Sequence, residues 1–110
     1  MTTWRKWFHD AEADWATLQI VYQATIDYDA PGRAFGDGLS AAVQILHDHE
    51  VLDQEFDDGF GGPEAPRIVA MDANFIYFPC QYDGATGVTK IRRDVRGYIG
   101  STEPTPYPGG

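Results

Sequence analysis

Only one cysteine, Cys80, occurs in 110 residues. The chain can form no intramolecular disulfide, and a reducing, cytoplasmic setting is expected. Lysine is almost as scarce, with Lys6 and Lys90 the only two. A lysine- or arginine-rich face for lipid headgroups is therefore missing. No apolar run approaches the roughly 18 residues that span a bilayer. Phe8 to Asp14 is too polar for the apolar region of a signal peptide, although Arg5 and Lys6 precede it. The sequence holds no Gly-x-Ser-x-Gly, no His-Glu-x-x-His and no glycine loop for phosphate. The expectation is a soluble, non-enzymatic protein without a cofactor or metal.

What is abundant is negative charge. The formal net charge is −9. Residues 27 to 64 hold ten acids and one base, Arg33, which equals the net charge of the whole chain. The rest of the sequence balances. Seven acids and no lysine or arginine fall within 47 to 64: Asp48, Glu50, Asp53, Glu55, Asp57, Asp58 and Glu64. Such a region attracts and steers a basic partner and repels nucleic-acid phosphates. A solvated face that only aids solubility is the bland counterpart.

The length suits one domain with its own core, and 43% hydrophobic with 14% aromatic content excludes a disordered chain. Thr2 or Thr3 can cap a first helix. Apolar residues recur at Trp4, Phe8, Ala11, Trp15, Leu18 and Tyr22, widened by Trp7 and Val21. These steps of three and four predict a helix over about 3–27, stopped by Pro31 and Gly32. Leu39, Ala42, Val43 and Leu46 predict a second helix over about 38–51, capped by Asp37 or Ser40.

An acidic loop rich in glycine and proline follows, from Asp53 to Pro66. Ile68–Met71 and Phe75–Phe78 flank Asp72-Ala73-Asn74 as a hairpin, and Pro79 marks an edge or a bulge. Val88 to Val95 reads as a third strand, with a short helix as its competitor. The expected architecture is α+β: two N-terminal helices on a three-stranded antiparallel meander. The domain spans 1–100, and a flexible tail of three prolines and a glycine pair spans 101–110.

Several groups invite chemistry. Asp53, Glu55, Asp57 and Glu64 stand at positions one, three, five and twelve of an EF-hand-like loop, with Phe60 at eight. Asp58 replaces the required glycine at position six, and Pro63 and Pro66 block an exit helix, so a calcium site is disfavoured. His47 and His49 with Glu50 lie two apart, on different faces of a regular helix. A structural role at the helix C-terminus is their default. Cys80 sits in no nucleophile motif and reads as a small buried hydrophobe. Lys90, Arg92, Arg93 and Arg96, with Tyr98 nearby, form a basic cluster against a field that opposes nucleic acid. Trp4 and Trp7 both read as core by their spacing, and exposure of one of them, able to anchor a partner, is the lesser reading.

The leading expectation is an acidic binding or inhibitor protein whose Asp48, Glu50, Asp53, Glu55, Asp57, Asp58 and Glu64 dock on a basic surface of a partner protein. In size, charge and lack of catalytic motif the chain is similar to phage anti-CRISPR, anti-defence and DNA-mimic proteins, and to toxin-immunity proteins. The likeness is one of type, with no shared motif. A small enzyme or metal-dependent protein using His47, His49, Cys80 and nearby carboxylates is the first alternative. An oligomerising module using an exposed tryptophan and the edge near Pro79 is the second. No membrane or direct nucleic-acid contact is expected, and the chain is expected to be a monomer or small homo-oligomer.

Overall fold

In the computed structural model of the chain, residues 1–24, 39–59, 65–82 and 85–106 are described. They form one helix and a five-stranded antiparallel sheet. The elements are α1 (Trp4–Asp10), β1 (Gln19–Gln23), β2 (Val43–Ile45), β3 (Arg67–Met71), β4 (Phe75–Tyr82) and β5 (Ala85–Arg92), with 3-10 turns at Glu50–Asp53 and Val95–Tyr98. The sheet order is β2-β1-β3-β4-β5. This corrects the expected two helices on a three-stranded meander.

The first helix is real but short. Thr3 caps it, its hydroxyl accepting from the Lys6 amide at 3.1 Å. It ends at Ala11, and Glu12 follows in the left-handed region at φ 58°. Asp14 then builds a local turn: its carboxylate accepts from the Ala16 amide and the Thr17 hydroxyl. Aspartate at such a position competes with the helix for backbone donors. The apolar stripe misleads beyond this point because Leu18, Ile20 and Tyr22 also alternate with period two. Ile20-Val21-Tyr22 is β-branched and aromatic, and pairing on both sides settles it as a strand.

The second expected helix does not form within 39–51. Its spacing would bury Ala42, Val43 and Leu46, which are exposed, whereas Ile45 is buried. Val43–Ile45 instead pairs with β1, Ile20 opposite Ile45. The part of that expectation on residue 38, and the loop before it, lie outside the described residues. The β3–β4 hairpin forms as expected, with Ala70 opposite Tyr77. The third strand of the expected meander begins earlier than Val88, and Val95–Tyr98 turns as a 3-10 helix.

One face of the sheet carries the core. Ile45, Ile20, Ile68, Ala70 and Tyr77 point to it, and α1 closes it with Trp4, Trp7 and Phe8. Both Trp4 and Trp7 are buried, in line with the core reading, and neither is exposed to anchor a partner. Trp4 stacks edge-on to Trp7, with ring centroids 4.9 Å apart, and its indole donates to the Pro66 carbonyl at 2.9 Å. Phe8 meets Trp15 and Tyr77 edge to face.

The β3–β4 turn is organised by Asp72, itself only 2% exposed. Its carboxylate accepts from the Tyr77 hydroxyl at 2.6 Å and from the amides of Asp14, Asn74 and Phe75. The outer edge of the sheet, β5, is tied at both ends. The Thr86 amide donates to the Asp58 carbonyl at 2.9 Å, and the Arg92 amide to the Tyr98 hydroxyl at 3.0 Å.

Candidate functional site: an acidic loop beside the first helix

The acidic stretch runs over the same side of the sheet as α1. Three apolar residues hold it down: Val51 and Leu52 from the 3-10 turn and Phe56 beyond it, all buried in the core cluster. A backbone bridge between Thr2 and Phe56 doubles the anchor, with both hydrogen bonds at 3.0 Å. Phe56 packs edge-on against Trp7 at 4.9 Å. The polar residues between these anchors must then face water. Asp48, Glu50, Glu55 and Asp57 are exposed. The backbone of the loop is therefore fixed by burial while its carboxylates stay hydrated.

Not every acid is free for a partner. Asp53 takes a two-pronged bond from Arg5, Nε to Oδ1 at 2.6 Å and Nη2 to Oδ2 at 3.1 Å. Arg5 also donates to the His47 carbonyl at 2.9 Å, so it staples α1 to the loop. That hydrogen bond from Arg5 holds the Asp53 carboxyl below the usual carboxylate range. Asp57 accepts the Gly59 amide at 2.8 Å, a turn that leaves its second oxygen outward. Asp58 is half-buried, and its carbonyl is used by Thr86. Glu64 lies outside the described residues, as does the Phe60-to-Pro63 part of the EF-hand-like pattern. With Asp53 bound by Arg5, the first calcium position is already filled by a cation of the chain itself.

The two histidines have structural partners. His49 caps the 3-10 turn, its Nδ1 accepting the Val51 amide at 3.0 Å. This is the N-terminal end of a turn, not the C-terminal end of a helix, because the second expected helix is absent. His47 Nε2 donates to the Leu18 carbonyl, and its ring stands edge-on to Trp15. Cys80 is in β4, on the sheet face turned away from this loop, and Thr89 donates to its sulfur. His47, His49 and Cys80 are thus not gathered into one pocket. Among the described residues no group of three His, Cys, Asp or Glu side chains is placed to hold a metal ion. None of the described helices is long and apolar enough to cross a membrane.

The basic cluster is consumed internally. Lys90 donates to the Ala11 carbonyl at 3.1 Å and sits 4.5 Å over the Phe75 ring. Arg92 pairs with Glu103 at 2.7 Å, Arg93 donates to the Asp72 carbonyl, and Arg96 pairs with Asp94. Glu103 thereby ties residue 103 of the expected tail to the sheet. The Arg5–Asp53 staple and the four bonds taken by the Asp72 carboxylate within the hairpin turn went unread in the sequence. Only the second had a local signal, an aspartate two residues before an asparagine between two apolar runs. The chain matches no known protein-family model, no curated protein and no solved structure.

Proposed function

We propose that the chain is a non-enzymatic acidic binding protein that docks through residues 48–57 on a basic surface of a partner protein. One observation carries the reading: Asp48, Glu50, Glu55 and Asp57 are exposed on a loop whose backbone is held by buried Val51, Leu52 and Phe56. A loop whose backbone does not need to be ordered on binding loses less entropy when its carboxylates meet arginine or lysine. Bidentate pairing with arginine then adds geometry to attraction. Asp53 serves the loop's shape through Arg5 rather than the partner, and Asp58 lies half-inside the fold. A partner surface that itself binds nucleic acid fits best, since the spaced carboxylates compete there with phosphates. The phage anti-defence inhibitors are the analogous type. A reducing, cytoplasmic setting accords with the single unpaired thiol.

The test is a variant carrying Asp48→Asn, Glu50→Gln, Glu55→Gln and Asp57→Asn, which keeps shape and the Asp57 turn. Binding is read with a fluorescent oligoarginine peptide and with the basic protein captured from the cell of origin. The variant should weaken both by on the order of tenfold or more at low salt, mainly through slower association. Wild-type affinity should fall steeply as salt is added. Equal binding of variant and wild type at low salt would reject the reading.

A further inference from the structure

The sheet has a second face, turned away from α1. Alternation along the paired strands places Val21, Val69, Met71, Ile76, Phe78 and Ile91 on the side away from α1. Val69 is 48% exposed and Ile76 38% exposed. Among the described strand residues that alternate to this side there is no aspartate or glutamate, in a chain that has seventeen. A shallow pocket of about 220 Å³ opens at one end of this face, lined by Val21, Gln23, Arg67 and Val69 together with Pro79 and Ile68, which alternate to the core side.

The sequence of the strands makes the same point independently. Ile68-Val69-Ala70-Met71 and Phe75-Ile76-Tyr77-Phe78 are apolar at every position. A strand with one wet face alternates apolar with polar, whereas a strand covered on both faces reads as a continuous apolar run. Among the described residues only one of the two faces carries a packed layer.

We infer that this face is a homodimer interface, on which a second copy of the chain stacks sheet to sheet. Two arguments select a second copy as the occupant. First, an isologous contact sets each patch against itself, so any charge at its centre meets its like. The apolar centre here has none among the described residues, the one described charge on this face being Arg67 at its end, so two copies can meet there without opposing the carboxylates of the described strands. Second, the size fits. Strands about 4.8 Å apart with a rise of about 3.3 Å per residue give a footprint of about 500 Å² per copy. With the whole sheet face engaged the pair then buries about 1,000 Å², the lower limit for a specific interface, so a weak dimer is expected. Two such sheets pack face to face about 10 Å apart, as in a sandwich. The acidic loops, on the opposite side, stay outward on both copies, so the dimer is a bivalent ligand.

Sedimentation velocity on the full chain, from micromolar to sub-millimolar concentration, tests this. The wild type should shift from monomer to dimer. Val69→Glu with Ile76→Glu should weaken dimerisation at least about 100-fold by placing like charges opposite one another. Mixing that variant with Val69→Lys, Ile76→Lys should restore a heterodimer. Near-UV circular dichroism from Trp4 and Trp7 checks that each variant is folded. A measurement on the wild type alone runs in parallel: Cys80, on this face, should react more slowly with a thiol reagent as the protein is concentrated. A wild type that stays monomeric overturns the inference. So does a dimer that survives in the glutamate variant, which would place the contact on another surface, and so does a Cys80 rate that is independent of concentration.

Discussion

Replacing Asp72 by alanine is expected to lower the unfolding free energy by about 3–5 kcal/mol, read as a fall in the urea midpoint. Against a total of about 5–15 kcal/mol for a domain, that is a large share. The carboxylate accepts from the Tyr77 hydroxyl and from the Asp14, Asn74 and Phe75 amides, so its loss strands four donors at once. Two of those amides start the β3–β4 turn, and the third ties down the segment between α1 and β1. Tyr77→Phe removes only one of the four bonds and should cost about 1–2 kcal/mol. The ratio of the two effects separates the turn from the phenol.

The same group sets the acid limb of stability. Burial raises the Asp72 carboxyl, but the Tyr77 hydroxyl and the three amides outweigh it, and the net shift is downward. A carboxyl whose folded pKa lies below its unfolded value of about 3.9 stabilises the fold above that pH and loses the contribution as pH falls through the folded value. Tyr77 moves the other way: burial, then the Asp72 carboxylate, push its phenol well above the ordinary range. Its contribution is full below about pH 10 and is lost in stronger alkali. Stability should therefore be flat in both respects between about pH 5 and 9. Asp72→Asn should flatten the acid limb as well as lower the plateau, and urea midpoints across pH would show both.

The second large effect belongs to Trp4. Trp4→Ala should cost about 4–5 kcal/mol, at the upper end for a large aromatic, because the indole is fully buried at the centre of the aromatic cluster. Its neighbours cannot collapse into the gap: Trp7 is held by Phe56, and Phe8 by Trp15 and Tyr77. Trp4→Phe keeps an aromatic ring but leaves the Pro66 carbonyl without its indole donor. It should cost about 1–2 kcal/mol more than the lost volume alone. Because Phe56 anchors the acidic loop through Trp7, the alanine variant should also bind a basic partner less well than its folded fraction predicts. Anisotropy with the oligoarginine probe would show this.

Legibility in the sequence followed the range of the interactions. The β3–β4 hairpin was readable because turn and strands are contiguous. The first turn of α1 was readable from Thr3 and from Trp4, Trp7 and Phe8. β1 was misread because Leu18 and Tyr22 satisfy periods of 3.6 and of two alike, and only pairing with β2 and β3 decides between them. β2 is three residues long, too short for a period to show. In the candidate site the exposed acids were legible from composition. The withdrawal of Asp53 was not, since Arg5 lies 48 residues away. The open apolar face was written in the unbroken hydrophobicity of Ile68–Met71 and Phe75–Phe78, a pattern that asks for cover on two sides.

The two plugs on the outer strand have a consequence for the protein at high concentration. An eight-residue rim with free amides is a template on which further chains could add indefinitely, ending in fibres. The Asp58 carbonyl and the Tyr98 hydroxyl block that rim near either end, leaving too short a stretch for an incoming strand to lengthen the sheet. Growth of the ladder from the β5 side is thereby hindered.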